Sequence, residues 1–171
     1  MISSILLAAG QSKRMQGENK LLKKYKKKYL INHILNSLIK SKVNKIIVVL
    51  GHENRKIKKI SLKSQKITFV FNSQYLKGIS TSIKCGLKKI SKKNIGFLIA
   101  HADMPLVSKT IFNTLCSSLK NKKKEIFVPV YKKKFGNPLA FKYSMIKSLK
   151  KIKGDKGAKK LIRSNKSKVQ L

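Results

Sequence analysis

Short, continuously apolar runs alternate with helical stripes along this chain, and that alternation limits the fold more than any other feature. Ser3–Leu7, Lys45–Leu50, Ile67–Phe71, Gly96–Ala100 and Ile126–Val130 are too short for buried helices. Their largely unbroken apolar character suits strands covered on both faces, as in parallel sheets. Between the first two runs, "YLINHILNSLIK" sets Leu30, Ile34 and Leu38 on one helical spacing, with Ile31, Leu35 and Ile39 beside them. Further helices are predicted near Glu53–Ile60, Ser80–Ile90, Ser108–Leu119, Ser144–Lys151 and Ala158–Ser164. The order predicts an α/β chain: a three-layer α/β/α, Rossmann-like fold around a mostly parallel sheet. "YKKKFGNPLAF" (Tyr131–Phe141) interrupts it, and its basic turn with Gly136 reads as a small β-hairpin insertion or an inserted antiparallel pair. With no internal repeat and no Pro- or Ser-rich linker, residues 1–171 are expected to form a single domain. The polar ending "SNKSKVQL" is expected to be mobile.

No apolar run approaches the roughly 18–20 residues of a membrane span, and no basic segment precedes Ile2–Ala9 to make a secretory signal. Cys85 and Cys116 lack metal or redox spacing, so a cytoplasmic, reduced protein with inert thiols is expected. The net charge of +37 raises the question of a polyanion partner. Against a nucleic acid stands the scarcity of arginine: only Arg14, Arg55 and Arg163 among 42 basic residues. The lysines are also spread from Lys13 to Lys168 rather than gathered on one element. The acids carry more information, because there are five: Glu18, Glu53, Asp103, Glu125 and Asp155.

"ISSILLAAGQSKRMQGENKLL" opens as a strand, breaks at small residues and continues as a cationic loop. A turn after the first parallel strand lies at the carboxyl edge of the sheet, where α/β ligands bind. Ala8, Ala9 and Gly10 let an anion approach the backbone closely, and Arg14 and Lys20 offer a fork and a point charge for phosphate. A solvated basic loop is the alternative. Neither a Walker A loop nor a GxGxxG fingerprint fits. In "LIAHADMPLV", Asp103 falls just past a buried strand, where it would hold a cation or cap a turn. After the third strand, "NSQYLKGISTSIKCGL" offers Ser80 and Ser82 as caps of a helix pointing at the same edge. His52 and His101 are expected to be structural.

These segments together resemble the MobA-like nucleotidyltransferases, in particular the molybdenum cofactor cytidylyltransferases. "LAAGQSKRMQGENKLL" is similar to that family's LAAGxSxRMG…KLL loop, with Gln16 where glycine is frequent. "ADMP" is similar to L-x-D-M-P, and "NSQYLKGISTSIKCGL" to N-x-x-[WY]-x-x-G-x-x-[ST]-S-[LI]-x-x-G. "FGNPLAF" and "KGDKGAKKLI" resemble the segments that line the acceptor half of the cleft.

The resemblance implies a nucleotidyltransferase fold and Mg²⁺ on Asp103. Nucleotide contacts would come from Leu7–Gly10, Arg14, Lys20, Asn72, Gly78, Ser80 and Ser82, with Arg14, Lys20 and Asp103 as the catalytic set. Acceptor contacts would come from Asn137, Pro138, Asp155, Lys156 and Lys159, although Asp155 could instead cap a helix starting at Gly157. The implied substrates are CTP and molybdopterin carrying molybdenum, with a molybdoenzyme or its chaperone downstream. GTP, a sugar or alcohol phosphate acceptor, or a non-catalytic delivery protein are the alternatives. The resemblance also implies an acidic "DIDTPED"-like tail beyond the last motif, so the expectation is either a naturally short chain or a weakened or incomplete one. In a naturally short chain, Asp103, with Asp155 beside it, would carry the metal alone.

Overall fold

The computed structural model describes residues 1–12 and 18–171. Its centre is a seven-stranded sheet in the order β11-β7-β10-β6-β1-β4-β5. The strands are β1 (Ile2–Ala8), β4 (Lys45–Leu50), β5 (Ile67–Phe71), β6 (Gly96–His101), β7 (Ile126–Phe127), β10 (Leu139–Lys142) and β11 (Val169–Gln170). Two small hairpins stand outside it: β2–β3 (Lys24–Tyr25 and Lys28–Tyr29) and β8–β9 (Val130–Tyr131 and Lys134–Phe135). β1 is central, parallel to β4 from Ser3–Lys45 to Ala8–Leu50 and to β6 from Ile2–Gly96 to Leu7–His101. All seven of its residues are buried, as its apolar run predicts. β10 alone is antiparallel to its neighbours β6 and β7.

Helices cover both faces and complete the three layers. On one face lie α1 (Leu30–Ile39), α2 (Asn54–Ile60) and α4 (Lys109–Ser118), packed on Ile2, Leu6, Ile46 and Val48. Ile31, Ile34, Leu35 and Leu38 of α1 are fully buried, each worth about 1.5–3 kcal/mol of apolar transfer. On the other face, α3 (Ile79–Leu87), α5 (Ile146–Lys150) and α6 (Lys159–Ser164) meet Ile5, Leu7, Ile47 and Val49. Adjacent β1 residues point to opposite layers, so one strand feeds both cores. Among the described residues, no helix is long and apolar enough to cross a membrane.

Three expectations need correction. The run Ile126–Val130 does not stay one strand: Pro129 offers no N–H, and Val130–Tyr131 leaves to pair with Lys134–Phe135. The hairpin turn is Lys132–Lys133, both at positive φ, and Gly136 falls beyond it, donating to Pro129 O at 2.7 Å. Leu139–Phe141 is not the hairpin's second arm; it belongs to the central sheet. The ending is not a free tail either. Val169 and Gln170 pair with Ile126 and Phe127, and Lys168 Nζ meets Glu125 Oε2 at 2.6 Å. The exposed edge of β7 supplied unpaired backbone groups that this segment satisfies.

Candidate active site

A cleft of about 370 Å³ opens at the carboxyl ends of β1 and β6, against the first turn of α3. Leu7 through Ser12 form one wall, Tyr75, Gly78, Ile79 and Ser82 another, and Lys20, His101, Asp103 and Asp155 complete it. Backbone bonds hold the rim together: Ala102 N–H donates to Leu7 O at 3.0 Å, and His52 N–H to Ala9 O at 3.3 Å. Gly51 permits the second contact, since a Cβ there would lie 2.8 Å from both Ala9 and Tyr75. Ala8 and Ala9 are buried, whereas Gly10 is exposed and a Cβ on it would meet nothing within 4 Å. The turn is therefore packed at its base and open at its tip. A second cavity of about 250 Å³ shares Leu7, Ile79, His101 and Asp155 with the first, and adds Asn137, Leu139, Gly157 and Ala158.

Lys20 comes to the cleft through local chemistry. Asn19 Oδ1 accepts from Leu21 N–H at 3.1 Å, capping the 3-10 turn Lys20–Leu22, and Ser12 Oγ accepts from Lys20 N–H at 3.1 Å. The Lys20 ammonium donates to Asp103 Oδ2, with the two side chains 41% and 33% exposed. Residues 83 positions apart thus place a cation and a carboxylate in contact beside the small-residue turn. The described residues contain no cluster of three or more His, Cys, Asp or Glu side chains able to enclose a metal. One or two carboxylates facing an open cleft match a hard cation that draws its remaining oxygens from water and a bound phosphate.

The MobA-like NTP transferase domain matches residues 4–169. The chain belongs to that family. Among curated proteins it is 27% identical to the molybdenum cofactor cytidylyltransferase of Escherichia coli (strain K12) over 116 residues. That match spans 68% of this chain and 58% of the relative's length. The fold is shared with Rv0371c from Mycobacterium tuberculosis H37Rv: TM-score 0.86 at 23% identity, over 99% of this chain and 85% of that one. A manganese complex of Rv0371c matches with TM-score 0.81 at 22% identity and the same coverage. A nucleotidyl transferase from Methanothermobacter thermautotroptrophicus, Mth528, gives 0.82 at 19% identity, again over 99% and 85%.

Within this MobA-like frame, the expected site residues fall into three groups. Leu7, Ala8, Ala9, Gly10, Lys20, Gly78, Ser82, Asp103 and Asp155 line the larger cleft, and Asn137 and Asp155 the smaller cavity. Asn72, Ser80 and Pro138 do not line either one. Pro138 is buried between Asn137 and Leu139, and Ser80 is buried inside α3. Arg14 lies outside the described residues, as do the side chains of Lys156 and Lys159.

Several roles differ from the sequence reading. Asn72 is a buried hub: its Nδ2 donates to Thr81 Oγ1 and Ser82 Oγ at 2.9 and 3.0 Å, and its Oδ1 accepts from Gln74 N–H at 3.1 Å. Those bonds fasten the loop after β5 to α3. Neither Ser80 nor Ser82 caps α3, which starts one residue before Ser80 with Gly78 at its N-cap. The cap comes from Asp155, whose Oδ1 accepts from Ile79 N–H at 3.1 Å. It caps α3 rather than a helix starting at Gly157. Sequence reasoning missed Ser12 and Asn19, which position Lys20, and Tyr75, which lines the cleft beside the His52 ring. Ser12 does stand at the serine of the first motif, so a signal for it existed. His101, set aside as structural, lines both cavities.

Outside the cleft, charges pair locally. Hydrogen bonding from Lys56 holds Glu53 below its ordinary value, and Lys23 does the same for Glu18. Burial pushes the Cys116 thiol up to about 11, leaving it protonated at neutral pH.

Proposed function

We propose that this protein is a nucleotidyltransferase that moves CMP from CTP to the phosphate of molybdopterin carrying molybdenum. The observation that carries the reading is the meeting of Lys20 and Asp103 beside the Ala8–Gly10 turn, at the edge where α/β folds bind ligands. The triphosphate lies along that turn, with Lys20 meeting its oxygens as a point charge. Ser12 and Asn19 keep Lys20 in place before the substrate arrives. The acceptor phosphate occupies the smaller cavity, whose shared wall at His101 and Asp155 brings it next to the nucleotide. An oxygen of the acceptor phosphate attacks the α-phosphorus. The bond from that phosphorus to its bridging oxygen breaks, and pyrophosphate leaves with the electron pair. No side-chain nucleophile is required, because positioning and charge stabilisation supply the rate.

Mg²⁺ held by Asp103 would supply charge neutralisation at the phosphates. The Escherichia coli relative's name supports CTP and the molybdenum cofactor as substrates. The test is pyrophosphate release with Mg²⁺, each of the four NTPs and molybdenum-loaded molybdopterin. Release is expected with CTP well above the others, and its loss in Asp103→Ala. Equal rates, or GTP ahead, would overturn the assignment of the donor.

A further inference from the structure

Helix α3 reaches the cleft without a cap of its own. Gly78 at its N-cap has no side chain to offer, and the first N–H groups of any helix lack partners within it. Ile79 N–H finds its acceptor 76 residues away, on Asp155. The two turns meet at backbone distance. Gly78 sits at φ +102°, and a Cβ there would lie 2.7 Å from Gly154 C and 2.9 Å from both Gly154 O and Asp155 Oδ1. Gly154 and Gly157, at φ +61° and +52°, bracket Asp155 in a tight turn that aims its carboxylate at α3. A carboxylate at that end of a helix also meets the positive pole of the backbone dipoles.

The bond crosses the boundary between the two halves of the site. Gly78, Ile79 and Ser82 face the larger cleft, while Asp155 stands where the two cavities join. We infer that Asp155 is a positioning residue: from the acceptor side it fixes the first turn of α3 and thereby the wall against which the nucleotide binds. Its kinetic consequence rests on the nucleotidyl-transfer reading; the contact itself does not. The oxygen that accepts the bond is what matters, so an amide in place of the carboxylate preserves the effect.

The experiment compares Asp155→Ala and Asp155→Asn in the full chain, by hydrogen exchange at the Ile79 amide and by calorimetric titration with CTP and Mg²⁺. Folding of each variant is checked by its melting temperature. Asp155→Ala is expected to speed exchange at Ile79 and weaken CTP binding about fivefold, the size of a lost helix cap. Asp155→Asn, whose Oδ1 still accepts from Ile79, is expected to stay within about twofold of wild type on every measure. If Asp155→Asn loses as much affinity as Asp155→Ala, charge rather than the cap is at work and the inference falls. Unchanged exchange at Ile79 in Asp155→Ala overturns it equally. Wild-type protein that binds no NTP would refute the transferase reading alone, since exchange at Ile79 still decides the contact.

Discussion

Replacing Lys20 by methionine separates the two ligands the cleft is proposed to take. In the ligand-free protein the Lys20 ammonium already neutralises Asp103, so a free divalent cation must compete with it for the same carboxylate. Both side chains are more than a third or close to a third exposed, which places the pair nearer to water than to a protein interior. At a separation of about 4 Å in water, two unit charges interact by about 1 kcal/mol, and an ammonium repels a dication by about twice that. Removing the ammonium should therefore tighten binding of Mn²⁺ alone by about 1–2 kcal/mol, or roughly tenfold. A triphosphate should respond in the opposite direction. Loss of a hydrogen bond from a charged group costs about 1.5–3 kcal/mol, so CTP binding should weaken at least tenfold. Mn²⁺ titration followed by electron paramagnetic resonance, beside calorimetry with CTP, reads both changes on the same preparation. Mn²⁺ binding unchanged or weakened in Lys20→Met would refute the reasoning, because the ammonium would then not be holding the cation's place.

Other consequences follow from the packing. Asn72→Ala removes a buried hub of three hydrogen bonds and should lower the unfolding free energy by about 1–3 kcal/mol in chemical denaturation; weakened CTP binding at unchanged stability would instead favour direct contact with the nucleotide. Lys26 and Lys27 turn the β2–β3 hairpin at φ +46° and +64°, where L side chains are strained, so Asn-Gly at these positions should raise stability by about 1 kcal/mol. Lys168, and after it Ser144, holds Glu125 below its ordinary value of 4.5. Its contribution to the β7–β11 edge is therefore full above that pH and lost as pH falls through the lower folded value. The protection factor for hydrogen exchange at Gln170 should fall as pH drops below 4.5 and through the lower folded value, and Glu125→Gln should remove that dependence.

The sheet was legible where the pattern is local. Lys45–Leu50 and Ile67–Phe71 form strands over those very residues, and the α1 stripe buries the side chains its spacing singled out. The hairpins were harder to read. Lys-Lys turns at positive φ carry none of the Asn-Gly signal that marks such turns, so β2–β3 went unassigned and β8–β9 was misplaced by a few residues. The C-terminal strand was hidden because Val169–Gln170 is too short to show a period, and its partner is a strand edge more than forty residues earlier. In the site, small residues before a cationic loop and an aspartate after a buried strand pointed to the edge of the sheet where the larger cleft opens. The bonds by which Asn72 and Asp155 tie loops together were not legible, because polar residues in a loop motif look alike whether they face a ligand or another loop.

By itself the sequence determined the layering, through apolar runs covered on both faces, and the family, through motifs kept in order along the chain. Tertiary structure alone decided which carboxylate meets Lys20 and which one closes α3. Those partners lie 83 and 76 residues apart, and their pairing is a property of strand order and backbone turns that no local pattern encodes.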